Sequence, residues 1–455
     1  MRLRTSPAVW RSVKRLKKTG TFSASPPLVL TGGFVILILL GALLLSLPIA
    51  TIQPISFFTA LFTATSAVTT TGLTLVPVDA TFTHFGEIVL ALLVQIGGLG
   101  FVTLAVVAVL TLRKRMALSH QVVALQAFNQ TSVSKIRDTA LTVLKMSVAI
   151  ELVAVILLTL WWLPETNVLT ALYRALFHVV SAFNNTGFTL DSTSLTRYIS
   201  DPASILITTF LIILGGLGFS VLSDIHQKRN WWRLAVYTRI VLLGTLALNV
   251  LGFVMIWALE FRNPETLGPL GSGTQALNAW MQSVTARTAG FSTIDISQLR
   301  DSTSFLLVLL MFIGGGSLST ASGIKVGTFI VLLAAAYSYI RGRSEITLLR
   351  RSVPSDVVRK SLALLLVTSG LAFTAVFLLT VFEDKPFLDL LFEVISALST
   401  TGLSRNVTAT LSMPSQILLI ILMFVGRLGP LTLVYSLSTQ GRSRIRYPEA
   451  QFQVG

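Results

Sequence analysis

Long apolar stretches alternate with short polar ones along the whole chain. Stretches near 28–50, 86–112, 139–163, 203–223, 235–259, 303–340, 361–382 and 415–438 are each apolar for long enough to cross a bilayer. A crossing takes about 20 residues at ~1.5 Å rise each, so the pattern predicts eight transmembrane helices. Between them lie shorter amphipathic segments of about a dozen residues, such as the one opening Ser56-Phe57-Phe58-Thr59-Ala60-Leu61-Phe62. Such a segment is too short to cross and suits a helix that dips into the membrane from outside. The first long stretch follows basic residues, as a signal peptide would. Its apolar run is too long and no A-x-A-like site follows it, so it reads as a retained anchor.

Each short amphipathic segment runs into a polar stretch closed by one glycine, the first being T-S-A-V-T-T-T-G-L-T-L-V at 65–76. Ser66-Ala67-Val68-Thr69-Thr70-Thr71-Gly72-Leu73 resembles Ser181-Ala182-Phe183-Asn184-Asn185-Thr186-Gly187-Phe188 and Ser396-Ala397-Leu398-Ser399-Thr400-Thr401-Gly402-Leu403. Val284-Thr285-Ala286-Arg287-Thr288-Ala289-Gly290-Phe291 is a weaker fourth copy. A second landmark follows 25, 28, 24 and 24 residues after the four glycines: Gly97-Gly98-Leu99-Gly100, Gly215-Gly216-Leu217-Gly218, Gly314-Gly315-Gly316-Ser317 and Gly426-Arg427-Leu428-Gly429. A unit of span, re-entrant helix, Gly-terminated run and span therefore recurs about every 110 residues, and repetition of a whole supersecondary unit outranks a local reading.

The chain divides into a basic N-terminus (1–27), repeat one (28–115), repeat two (135–226), repeat three (235–343), repeat four (360–440) and a C-terminal tail (441–455). The fold class expected is an all-α polytopic membrane protein, with four linked span–pore helix–span repeats about a pseudo-fourfold pore, as in a potassium channel.

The polar runs suit cation selection. A dehydrated alkali cation needs a shell of oxygen ligands, and four converging strands can supply it as backbone carbonyls. Glycine permits a positive φ that aims a carbonyl at the axis, and neighbouring Thr and Asn side chains can brace each strand from behind. The candidate filter is Thr70, Thr71 and Gly72; Asn185, Thr186 and Gly187; Thr288, Ala289 and Gly290; and Thr400, Thr401 and Gly402. The C-terminal, partly negative ends of the re-entrant helices would point inward, which favours a cation. With one glycine per strand and no Gly-Tyr-Gly, fewer ion sites and looser discrimination against Na⁺ are expected. For the second landmarks, close helix packing is the better reading.

Repeat three departs from the rest. As one helix its 38 positions from 303 to 340 would reach ~57 Å, well beyond the ~30 Å hydrocarbon core, so it must break. The break lies in Gly314, Gly315, Gly316, Ser317, Ser319, Thr320, Ser322, Gly323 and Lys325, a flexible hydroxyl-rich segment expected to gate the pore below the filter. It is not a phosphate loop, since Gly-Ile-Lys-Val lacks the Walker spacing. Arg427 lies at membrane depth, where an ionisable residue is functional by default. It would raise a barrier to cations or bind the gate segment; a structural ion pair is the alternative. Lys325 would face the same vestibule or snorkel to the cytoplasm. Lys145 and Glu151 stand too far apart to pair along one helix and receive no role. Trp161-Trp162 and Trp231-Trp232 are read as interfacial residues.

Composition removes other classes. The chain is 53% hydrophobic and 12% charged, with mean hydropathy +0.78. Soluble domains carry roughly 25% charged residues, so this is an integral membrane protein. It has no cysteine, and its four histidines, His84, His120, His178 and His226, have no metal-ligand spacing; disulfides, thiolate sites and an intramembrane enzyme centre are disfavoured. The net charge of +16 arises mainly from five blocks (1–27, 113–137, 228–239, 341–360 and 442–446) that hold 25 of the 35 Lys and Arg residues. These are a topology signal placing both termini in the cytoplasm and the glycine motifs outside. Their expected partners are anionic lipid headgroups, not nucleic acid. Of the other basic residues, Arg174, Arg197, Arg262, Arg287, Arg300, Lys385 and Arg405 are assigned to external loops.

The fourfold repeat, the single glycines 72, 187, 290 and 402, the broken helix with Gly-Gly-Gly-Ser and Gly-Ile-Lys, and the lone Arg427 resemble the Ktr/Trk/HKT superfamily of potassium transporters. The likeness runs over nearly the whole chain from about residue 28. With no extra pair of spans before repeat one, the chain looks more like the membrane subunit of bacterial Ktr systems than the longer Trk type. The resemblance implies a homodimer with one pore per protomer in the bacterial inner membrane. It also implies a cytoplasmic ring of RCK-type regulatory subunits that bind ATP, ADP or NAD(H) and act on the gate. The transported ion would be K⁺, driven by the membrane potential and often dependent on Na⁺. Nucleotide is expected on the ring and not on this chain, which has no nucleotide motif. The rival readings are a non-selective K⁺/Na⁺ permease and a secondary transporter for another solute. The latter predicts inverted repeats, whereas these four run in one orientation.

Overall fold

A computed structural model describes residues 26–111 and 133–429, and the side chains of 31–100 and 141–429. What the sequence suggests for 1–25, 112–132 and 430–455, including the basic tails and the end of the eighth apolar stretch, lies outside the described residues. The regular secondary structure of the described residues is helical apart from a hairpin of β1 (Thr347–Leu348) and β2 (Arg351–Ser352) and two isolated bridges.

Among the described residues, four helices are long and unbroken: α1 (Pro26–Leu45), α4 (Val133–Trp162), α8 (Val236–Glu260) and α12 (Ser355–Phe382). Their outer faces are apolar and uncovered, with Leu152, Val153, Ile156, Leu157 and Leu160 of α4 all exposed. Apolar surface on that scale has lipid as its partner. Each is followed by a short helix: α2 (Phe57–Val68), α5 (Val168–Phe183), α9 (Ser272–Thr285) and α13 (Phe387–Leu398). Ser56 and Asn167 cap α2 and α5, accepting from the Thr59 and Thr170 amides at 3.1 and 2.8 Å. At 12 residues, α2 is ~18 Å long and cannot span. Its C-terminal half is buried, as are those of α5 and α13, because these ends converge at the centre of the molecule.

The helices after the glycine motifs are α3 (His84–Thr111), α6 (Pro202–Leu217) with α7 (Phe219–Lys228), α10 (Asp301–Phe312) with α11 (Val326–Ile340), and α14 (Met413–Leu428). Here the structure corrects the sequence reading, which expects a break only in repeat three. None of the four runs straight through its landmark. α3 kinks at Gly100 (φ 37°), α6 and α7 meet at 96° across Gly218 (φ 97°), and α14 ends at Gly429 (φ 85°). The closing glycine of these three landmarks adopts a left-handed conformation that other residues resist.

The leading glycine does the packing expected of it. A Cβ on Gly97, Gly215 or Gly426 would lie 2.0–2.1 Å from the carbonyl oxygen of Val68, Phe183 or Leu398. Each of these three helices thus crosses directly against the last residue of the short helix in its own repeat. In repeat three, Gly315 and Gly316 instead press on the Gly216 and Leu217 carbonyls, at 2.4 and 2.1 Å by the same measure.

Candidate functional site: a ring of four glycines and the loop beneath it

The four Gly-terminated strands meet. A Cβ on Gly72 would stand 1.9 Å from the Thr186 carbonyl oxygen, one on Gly187 2.7 Å from Ala289 O, one on Gly290 2.5 Å from Thr401 O, and one on Gly402 2.0 Å from Thr71 O. Each glycine therefore packs on the carbonyl just before the glycine of the next repeat, and the fourth closes on the first. Their φ values are 92°, 81°, 81° and 88°, which only glycine takes readily. Two residues earlier, Thr70, Asn185, Thr288 and Thr400 also have positive φ, between 51° and 72°. That second left-handed position is not legible in the sequence, because Thr and Asn do not advertise it as glycine does.

Behind the ring the repeats are braced differently. In repeats one and four a serine at the end of the short helix accepts from the glycine amide: Gly72 N to Ser66 Oγ at 2.9 Å and Gly402 N to Ser396 Oγ at 3.1 Å. A hydroxyl pair stiffens each of these strands, Thr69 with Thr71 at 2.7 Å and Ser399 with Thr401 at 2.8 Å. In repeat two Asn184 reaches outward, its Nδ2 donating to Gln95 Oε1 at 2.6 Å. Gln95 Nε2 in turn donates to both carboxylate oxygens of Glu151 at 3.0 and 3.1 Å. Repeat three has Val284 and Ala289 where the others have hydroxyls, and Arg287 where they have Thr69, Asn184 and Ser399.

The ring separates two cavities. On one side is a vestibule of about 720 Å³ lined by all four glycines, with Asp191 and Asp295 on its wall. On the other side a cavity of about 110 Å³ lies between Phe34, Gly100, Ser319, Ser322, Lys325 and Arg427. The loop from Ile313 to Lys325 crosses the side of the smaller cavity. Thr70 Oγ1 lies 3.5 Å from Thr320 O, and Thr320 Oγ1 donates to Phe183 O at 3.2 Å, so the loop sits directly under strands one and two. The Gly316 amide donates to Gly216 O at 2.8 Å and the Ser317 amide to Tyr237 Oη at 2.8 Å. Gly314 and Gly323 close the loop base through the Gly314 amide to Ile324 O at 2.9 Å and a positive φ of 68° at Gly323. Within the loop, Gly315 O accepts from the Val326 amide at 3.0 Å and Ser319 Oγ donates to Gly316 O at 2.7 Å.

Arg427 staples this loop to α3. Its guanidinium donates to Thr320 O through Nη1, and to Gly97 O and Gly98 O at 2.6 and 2.9 Å through Nη2. All its hydrogen-bond partners among the described residues are carbonyls, so it binds the loop, and it forms no ion pair among those residues. Lys325 donates to Ala321 O at 2.6 Å and lines the same cavity; it turns inward and does not snorkel.

Some residues sit elsewhere than the sequence suggests, or acquire a place. Arg287 is not an external-loop residue but is buried behind the third strand, 6% exposed. Glu151 is buried against Gln95, whereas Lys145 is exposed on α4, so the two are unrelated. Trp162 is buried, its Nε1 donating to Ser204 Oγ at 2.9 Å and its ring stacked on Tyr198; it is a core residue. Trp161, Trp231 and Trp232 are exposed, as interfacial residues would be. No cluster of metal-ligating side chains occurs among the described residues.

Comparison with known proteins matches residues 34–443 to the TrkH family, described as cation transport proteins. The chain is 41% identical to the Ktr system potassium uptake protein B of Bacillus subtilis over 431 residues, covering 95% of this chain and 97% of that protein. It is 39% identical to the protein of the same name from Vibrio alginolyticus, covering 93% of each. With the potassium/sodium uptake protein NtpJ of Enterococcus hirae it shares 33% identity over 97% of this chain and 99% of that one. The crystal structure of the potassium transporter TrkH from Vibrio parahaemolyticus superposes with a TM-score of 0.73 at 21% identity, covering 92% of this chain and 86% of that one, which establishes the shared fold. Its helical architecture, its apolar outer surface and a family match over most of its length make this chain a membrane transporter, not an enzyme: it belongs to the TrkH family of cation transport proteins.

Proposed function

We propose that this protein takes up potassium ions through the ring of Gly72, Gly187, Gly290 and Gly402, with the loop 313–325 as the gate. The observation that carries this reading is the closed cycle of four glycines, each seated on the carbonyl before the next. A ring of backbone carbonyls is the chemistry that replaces the water shell of a K⁺ ion, and the C-terminal ends of α2, α5, α9 and α13 add partial negative charge near it. Non-helical backbone at membrane depth is tolerated where it lines a polar cavity, and the outer vestibule is one. The gate loop fills the inner side, and Arg427 holds it there through Thr320; in this reading the pathway is closed.

The protein is then a four-repeat, eight-span pore of pseudo-fourfold symmetry in a bacterial inner membrane, with both termini cytoplasmic. It works as a homodimer under a cytoplasmic RCK-type nucleotide-binding ring, as one component of a multi-subunit system such as the names of its Ktr relatives imply. Potassium is the cargo and Na⁺ an activator, for which the potassium/sodium name of the Enterococcus relative is a precedent; the nucleotide binds the ring.

The test is uptake in a bacterium lacking its own K⁺ uptake, on limiting potassium with and without added sodium. Gly290→Ser is expected to lower the preference for K⁺ over Na⁺ by about tenfold or more, equivalent to ~1.4 kcal/mol. An unchanged ratio in well-expressed protein would remove the ring from ion selection.

A further inference from the structure

Arg287 is a cation at membrane depth with no carboxylate within salt-bridge distance among the described residues. Its guanidinium donates through Nη2 to Gly314 O at 2.9 Å and through Nη1 to Asn249 Oδ1 at 3.2 Å, with Thr245 O at 3.5 Å. Its Nε is buried and has no partner among the described residues. Burying an arginine against neutral acceptors is costly, and an intramembrane ionisable residue of this kind marks function by default. Its position says which function.

Arg287 is one residue before Thr288, the left-handed residue that starts the third filter strand, and three before Gly290. At the equivalent place in repeats one and four, Thr69 and Ser399 turn inward to pair with the Thr71 and Thr401 hydroxyls. Repeat three has no hydroxyl to pair with, since Ala289 stands there. The arginine turns outward instead, to the first glycine carbonyl of the gate loop. Gly314 is also the base of that loop, bonded through its amide to Ile324 O at 2.9 Å. A movement of the loop that withdraws Gly314 must therefore stretch or break a charged hydrogen bond to the residue beside the filter strand, and such bonds are about twice as strong as neutral ones.

Resting on the reading of the ring as filter and 313–325 as gate, we propose that Arg287 is a positioning residue tying the third filter strand to the gate loop through Gly314, so that gate movement alters the filter at Thr288–Gly290. Asn249 on α8 holds the guanidinium in line for that contact. Strand one also meets the loop, through the neutral 3.5 Å contact of Thr70 Oγ1 with Thr320 O; among the described residues strand three is the one tied to it by a charged hydrogen bond.

The experiment measures uptake velocity and K⁺-over-Na⁺ preference in reconstituted full-length protein, in the intact chain and in a chain lacking residues 317–322. In the intact chain, Arg287→Gln should raise velocity and lower the preference, each by about threefold or more, within the range of coupling energies between linked sites. Asn249→Leu should do the same to a smaller degree, and it keeps both the cation and the strand, so it is read alone if Arg287→Gln does not accumulate. In the shortened chain neither substitution should change velocity further, because the tether has lost its load. Unchanged preference in Asn249→Leu, or the same velocity factor with and without the loop, would overturn the coupling. Gly290→Ser in the same assay separates the two readings: if it leaves the preference unchanged the filter itself fails, and if it lowers the preference while Asn249→Leu does not, only the tether fails.

Discussion

Repeats one and four differ from repeat three in how the same backbone is held. All four strands take positive φ at the glycine and two residues before it. In repeats one and four the support is local: a serine on the glycine amide and a hydroxyl pair along the strand. In repeat three Val284 and Ala289 remove both, and the support comes from Arg287 and a distant carbonyl. Repeat two lies between: its Ser181 hydroxyl has no partner among the described residues, and its Asn184 is held through Gln95 by Glu151. A local brace makes a strand indifferent to its surroundings, whereas a distant one makes it answer to whatever holds the far end.

The largest expected effect is at the locally braced strands themselves. Gly402→Ala would put a Cβ 2.0 Å from Thr71 O at a φ of 88°, and a contact that close forces backbone to move. Loss of uptake by more than about tenfold is expected, about 1.4 kcal/mol or more of lost function, and Gly187→Ala, with Ala289 O at 2.7 Å and two Gly290 backbone atoms at 2.8 Å, should lose uptake likewise. Retained uptake in either variant would mean that closeness around the ring is not what the glycines serve.

Next are the serines. Ser396→Ala strips the acceptor from the Gly402 amide, a cost of about 1–3 kcal/mol, visible as a lower Tm and a lower K⁺-over-Na⁺ preference. Ser181→Ala removes a hydroxyl that holds no glycine amide and should change neither. If both serines behave alike, the contrast in bracing has no energetic content.

The smallest effect lies outside the spans, where the first and second long helices of a repeat are joined. In repeat four, Glu383 accepts from the Ser412 amide and hydroxyl at 2.7 and 2.6 Å. Burial pushes its carboxyl up, but hydrogen bonds from Ser412 and Ser415 and the charge of Lys385 outweigh it and hold the carboxyl below its usual range. A depressed pKa contributes stability above the ordinary carboxylate pKa and loses it as pH falls through the depressed value. The Tm should therefore fall slightly on acidification below the ordinary glutamate pKa of about 4.3, and Glu383→Gln should flatten that part of the profile. Repeat three makes the same joint with Glu260, fully buried and accepting from the Arg300 amide at 3.0 Å and Thr303 Oγ1 at 2.5 Å. Glu260→Ala should cost more than Glu383→Ala, since it leaves buried donors unpaired.

Much of this is legible in the chain. The four glycines, the break at 313–325 and the long first helices follow from periodicity and length, because a bilayer imposes both. The closing glycines Gly100, Gly218 and Gly429 are visible as letters, but their left-handed turns are not: an apolar run continues past each, and hydropathy does not register a change of direction. Arg287 looks external for a related reason. It follows the short helix by two residues, as an external-loop residue would, and only the inward course of that helix buries it. Glu151 and Gln95 lie 56 residues apart, and no local pattern joins them.

By itself, then, the amino-acid order determined that this is a membrane protein of repeated units with a glycine at the end of each polar run, since apolar length and repetition are properties of a one-dimensional string. The tertiary structure alone decided that the glycines close on one another, and that Arg427 and Arg287, from different repeats, each reach a carbonyl of the same loop. Those facts depend on which distant carbonyls come within about 3 Å of a donor, and only the packed fold sets that distance.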